Sequence, residues 1–202
     1  MAKQDFLNLY RILFLRGEIF MKKLLFLAIL LITIPMNAYA VSLETLQNDT
    51  SKYVKICEDT TSTIYLEPNK IKVLRDSFPY LTLQAKIYLV MYNKSSIADD
   101  SYIISYNYNR SLRALVINKK IESPNITNKE LTSYAILEAK KDSGIAANIK
   151  ANCYYDLDGT ITHNNPIHIF SDKAKFETVL YSISNKVFYH YNQCTMYFFD
   201  GM

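Results

Sequence analysis

The stretch Tyr80–Tyr92, YLTLQAKIYLVMY, constrains the fold more than any other part of the chain. Leu81, Leu83, Ala85, Ile87, Leu89 and Met91 alternate with Tyr80, Thr82, Gln84, Lys86, Tyr88, Val90 and Tyr92. A period of two sustained this far predicts a long strand with one face against a core. The next stretches repeat the signal. Tyr102, Ile104, Tyr106 and Tyr108 share one face, and Leu112, Ala114 and Val116 opposite Leu115, Ile117 and Ile121 extend the strand pattern. Tyr53 to Cys57 and Thr63 to Leu66 read as two shorter strands, and turn residues such as Asn93-Lys94-Ser95-Ser96 separate the elements.

Two helices are predicted. Thr127 or Asn128 caps the first, with Gly144 to stop it. The second runs from Asp172 to Tyr191 after Ser171. Phe176, Val179, Leu180, Ile183, Val187 and Tyr191 fall on one face of it at helical spacing. The expected fold is α+β: an antiparallel meander sheet of about six strands, with the C-terminal amphipathic helix packed on one face.

The N-terminus reads as a targeting segment. Lys22-Lys23 precede the apolar run Leu24 to Ile34, and Ala38-Tyr39-Ala40 forms an A-x-A box. The run falls short of the roughly 20 apolar residues a membrane span needs. Residues 21–40 are therefore expected to be a secretory signal peptide cleaved between Ala40 and Val41, leaving no transmembrane helix in the mature protein. Arg16-Gly17-Glu18 can be encoded as AGG-GGA-GAA, which resembles a ribosome-binding site. Translation is accordingly expected to begin at Met21, with residues 1–20 an upstream extension and 41–202 a single domain. Residues 1–40 hold five of the 23 Lys+Arg and two of the 19 Asp+Glu. The remainder carries 18 against 17, and such near-neutrality gives no electrostatic case for nucleic acid or anionic lipid as a partner.

Cys57, Cys153 and Cys194 all follow the leader. In an oxidising compartment three cysteines suggest one disulfide, for which Cys153 with Cys194 is the favoured pair, or three buried thiols.

YYDLDGTITHN, from Tyr154 to Asn164, contains the Asp-x-Asp-Gly-Thr letters of haloacid dehalogenase-like phosphohydrolases. There Asp156 would attack the phosphoryl group and Asp158 would act as general acid/base, with Mg²⁺ between them. The context argues for a hairpin. Ile149, Ala151, Cys153 and Tyr155 alternate with Lys150 and Asn152, whereas a central parallel strand is apolar throughout. Only 42 residues follow Thr160, too few for the later crossover units of that family. Gly159 can close a short turn, and an Asp at its start bonds its own backbone. A periplasmic enzyme or ligand-binding protein using Asp156, Asp158 and His163 is the alternative reading. His163, His168 and His190 show no metal-ligand spacing, so no cofactor is expected.

Seventeen tyrosines and no tryptophan set the composition apart. Tyr80, Tyr88, Tyr92, Tyr102, Tyr106 and Tyr108 line strand faces, either as a contact surface for a partner or as packing beneath a helix.

The leader, STIYLEPNKIKV running into a long alternating strand, the late YYDLDGTI hairpin, and a terminal helix followed by Cys194 together resemble small exported bacterial proteins of the surface-adhesin protein E-like group. The resemblance spans roughly Tyr53 to Cys194, and the chain departs from it in lacking tryptophans and in a longer insertion at Ser123 to Asn148. It implies a small antiparallel sheet packed on helix and a non-catalytic, adhesin-like binding role. An envelope component or a host matrix protein is the implied partner.

Overall fold

The computed structural model describes residues 41–164 and 169–193. The segments 1–20 and 21–40 with Ala40, together with His168 and Cys194, lie outside the described residues.

Eight strands are described: β1 (Val54–Glu58), β2 (Ser62–Leu66), β3 (Lys72–Ser77), β4 (Tyr80–Met91), β5 (Ser96–Asn107), β6 (Ile145–Asp156), β7 (Ile161–Asn164) and β8 (Ile169–Lys173). They form one sheet in which every pairing is antiparallel. β2 and β3 lie end to end along one side of β4, and β7 and β8 do the same along β6. Eight strands thus fill a path six strands wide, β1-β2-β4-β5-β6-β7.

Among the described residues, four α-helices accompany the sheet: α1 (Leu43–Asn48), α2 (Leu112–Glu122), α3 (Asn128–Lys141) and α4 (Val179–Asn192). The last three cover one face. Leu81, Leu83, Ala85 and Ile87 of β4 meet Leu115 and Val116 of α2, Leu131 and Ala135 of α3, and Ile183, Val187 and Phe188 of α4 in one buried cluster. α4 packs against β1 and β4, and the Tyr106 hydroxyl of β5 donates to the Ser184 carbonyl at 2.8 Å. The α+β antiparallel sheet with a C-terminal helix on one face is the architecture expected.

A second buried cluster lies on the opposite face. Past Ile87 the other side of β4 becomes buried as well, so that Tyr88 and Val90 join Tyr65, Ile97, Cys153 and Tyr155 with Val41, Leu46 and Tyr53. The leucine amide at the start of α1 donates to the Leu157 carbonyl at 2.9 Å, which ties the helix to the β6–β7 turn.

Two elements differ from the sequence reading. Leu112 to Ile121 belongs to α2, not to a strand: the Ser111 hydroxyl accepts from the Ala114 amide, and Leu112, Leu115 and Val116 are the buried positions at helical spacing. The C-terminal helix begins at Val179, capped by Thr178, because Ile169–Lys173 pairs as β8 with β6. Ala174 continues that attachment, its amide donating to the Ile145 carbonyl at 3.0 Å and its carbonyl accepting from the Ser143 hydroxyl. The first helix stands as read: Thr127 caps α3, and Glu130 reaches back to the Thr127 amide to complete a capping box.

Candidate functional site

Among the described residues, the helices leave part of one sheet face open. In an antiparallel pair, residues directly opposite project to the same side. The pairing registers therefore trace rows of outward-facing side chains across β3, β4, β5, β6 and β8. One row runs Arg75, Thr82, Ser105, Ala146, Lys173. The next runs Lys72, Gln84, Ile103, Asn148, Ser171. A third runs Lys86, Ser101, Lys150, Ile169 from β4 to β8. These positions are exposed or half-buried, and among the described residues no helix lies in the cluster packing on that side except α1, at the far end of the sheet.

Five cations and no carboxylate occupy the three rows. Hydroxyls and amides bond across the strands between them: Thr82 with Ser105 at 3.2 Å, and Gln84 Nε2 to the Ser101 hydroxyl at 2.9 Å. Arg75 lies 5.0 Å from the Tyr80 ring centroid, and its Nε donates to Ser77 at 2.7 Å. Among the described residues, Lys72, Arg75, Lys150 and Lys173 have no carboxylate within ion-pair distance.

A buried polar network closes the border between this open part and the α1 cluster. Asp99 lies 2.9 Å from Lys86 Nζ, and accepts from Asn152 Nδ2 at 3.1 Å and from the Tyr155 hydroxyl at 3.3 Å. Next to it, the Tyr88 hydroxyl donates to Glu67 at 3.1 Å, and Lys52 Nζ stands 3.8 Å from the other Glu67 oxygen. Burial first, then the nearby carboxylates, pushes the Tyr88 and Tyr155 phenols well above their usual range, so both remain donors. Asp100 follows Asp99 but points to the opposite face, as successive strand residues must. Burial, and secondarily the Asp99 charge, pushes its carboxyl up to about 6.

The six tyrosines expected on a contact surface do not form one. Tyr88, Tyr102 and Tyr106 are buried. Tyr102 and Tyr106 lie in the helix-covered cluster and Tyr88 in the α1 cluster on the opposite face; in each a large ring with a polar tip fills a core while its hydroxyl can find a protein acceptor, as those of Tyr88 and Tyr106 do. Tyr92 is half-buried, its hydroxyl 2.8 Å from that of Thr63. Tyr108 packs edge-on against Phe188 of α4 beside the helix-covered cluster, so that Tyr80 alone of the six is exposed. Tyr80 is exposed beside Arg75, and Tyr108 stacks on the exposed ring of Phe78 at 6.1 Å. Sequence reasoning missed the cations, because Lys72, Lys150 and Lys173 lie far apart in the chain and only the register unites them.

The Asp156–Asp158 stretch is a hairpin turn. β6 pairs antiparallel with β7 across it, Tyr154 opposite His163. Gly159 has φ 96°, and the Thr160 amide donates to both Asp156 Oδ1 and Asp158 Oδ1 at 2.8 Å. The hydrogen bond between the two carboxyls raises the first and lowers the second. Cys57 and Cys153 are free thiols, and Cys194 lies outside the described residues. Burial, followed by the Asp59 charge, pushes the Cys57 thiol up, opposite to what a nucleophilic thiolate needs.

No known family, curated protein or solved structure matches this chain.

Proposed function

We propose that the chain is a non-catalytic binding protein, exported to the bacterial envelope or beyond it, which meets its partner with the open part of its sheet. The observation that carries this reading is the row structure itself. Five strands present an outward-facing surface whose other side is anchored by a continuous core of Leu81, Leu83, Ile104 and the three helices. A surface held this way binds at little cost in ordering. The leader Met21–Ala40 supports export. The engagement of Asp156 and Asp158 with the Thr160 amide supports a structural rather than catalytic use of that motif.

Two measurements test the proposal. The intact mass of the protein recovered from the envelope or medium is expected to begin at Val41, and a mass retaining residues 21–40 in a cytosolic fraction speaks against export. Purified protein is expected to show no Mg²⁺-dependent phosphatase activity. Activity above background that vanishes in Asp156→Asn overturns the binding role.

A further inference from the structure

We infer that the open sheet face binds an acidic polysaccharide, a sugar chain bearing carboxylate or sulfate groups. The inference rests on the binding role proposed for this face and assigns the partner's chemistry.

Charge is the first argument. The chain beyond the leader is nearly neutral, yet the three rows gather five cations with no acid among them. Asp99, in the adjoining row of the same face, neutralises Lys86. The other four cations have no carboxylate partner among the described residues and are available to an anion. Geometry is the second argument. Arg75 and Lys173 stand at opposite ends of one row, four strand spacings or roughly 19 Å apart. A single small anion cannot bridge that width, whereas an extended polyanion can.

The side chains between the cations decide among polyanions. Thr82, Ser105, Gln84, Ser101 and Asn148 offer donors and acceptors in sequence across the strands, which suits the hydroxyls of a sugar chain. Tyr80 supplies one exposed ring for the apolar face of a sugar. Single-stranded nucleic acid is held by several stacking aromatics, and these rows contain none besides neighbouring Tyr80. A membrane surface is met by a broad apolar face, and the large apolar side chains in the rows are Ile103 and Ile169 alone. A protein interface concentrates aromatic and apolar residues at its centre, where this face has Gln84 and Ser101.

The test uses protein expressed from the full reading frame and a panel of probes on a biosensor: a heparin oligosaccharide, hyaluronate, desulfated heparin, a single-stranded oligonucleotide and purified matrix proteins. Heparin is expected to bind, desulfated heparin more weakly, and binding is expected to weaken as salt rises. The pair Lys72→Glu with Lys173→Glu should weaken it by about tenfold or more. Lys94→Glu with Lys129→Glu changes net charge equally on other surfaces and should leave binding unchanged. Equal losses in both pairs overturn the inference, as does an oligonucleotide binding more tightly than heparin through the same residues. A matrix protein that needs Lys72 and Lys173, with no acidic glycan bound, overturns the inference and leaves the binding role standing. Failure of both heparin and hyaluronate to bind overturns the inference, and Asp156-dependent phosphatase activity beside it overturns the binding role as well. Unchanged melting temperatures confirm that each variant is folded.

Discussion

Asp99 and Asp100 show how much one residue's environment matters. Both are buried and both sit on β5, but Asp99 has Lys86, Asn152 and Tyr155 around it, while Asp100 faces Ile87 and Ala151 across the strands. The Asp100 carboxyl lies at about 6 in the fold against 3.8 for an unperturbed aspartate. Between those values the folded chain holds a proton that the unfolded chain has released. Its contribution therefore favours the fold at low pH, is lost as pH rises from about 4 to 6, and is level above. Asp100→Asn is expected to gain roughly 1–3 kcal/mol at pH 7.5 and almost nothing at pH 4. Urea midpoints of both proteins at the two pH values check this, and an equal difference at each would show that Asp100 does not titrate as described.

At the scale of elements, ends and turns carry testable weight. The Thr127 hydroxyl accepts from the Glu130 amide, and Glu130 accepts from the Thr127 amide at 2.9 Å. Thr127→Ala should cost about 1 kcal/mol, and Thr127→Ser much less, in chemical denaturation. Gly159 sits at φ 96° inside the β6–β7 turn, a conformation a side chain disfavours. Gly159→Ala is expected to cost about 1–2 kcal/mol, with amide-exchange protection lost first at Thr160 and Ile161. The same scale shows why two elements were misread. Leu112 to Ile121 is rich in apolar residues and satisfies alternation and helical spacing together, so periodicity alone cannot choose. Ser111 at its start, a good N-cap, was the overlooked signal. At Ile169–Lys173 no helical face competes with β6, whose free edge takes the segment as a strand.

Across the whole molecule, the sheet separates two clusters that lie on opposite faces and meet different partners. β4 and β5 belong to both and pair along their full lengths, whereas β3, β7 and β8 are exposed edge segments. Native-state hydrogen exchange should therefore be slowest in β4 and β5, and opening of β3, β7 and β8 should need far less free energy than global unfolding. Uniform protection across all eight strands would contradict this hierarchy. The edge strands β3 and β8 also bear Lys72, Arg75 and Lys173, so the margins of the sheet are also the margins of its cationic face.

What the sequence determined by itself was local. The alternation from Tyr80 to Met91, the Thr127 cap and the Asp156–Gly159 turn are written in neighbouring residues, and each appears where it was read. The tertiary structure decided which side of each strand became core, burying Tyr88, Tyr102 and Tyr106 where their alternation fitted a contact surface equally well. It also decided the register that sets Lys72, Lys150 and Lys173 in adjoining rows. The reason is physical: period and turn chemistry act over a few residues, whereas strand register is chosen by contacts between segments far apart in the chain.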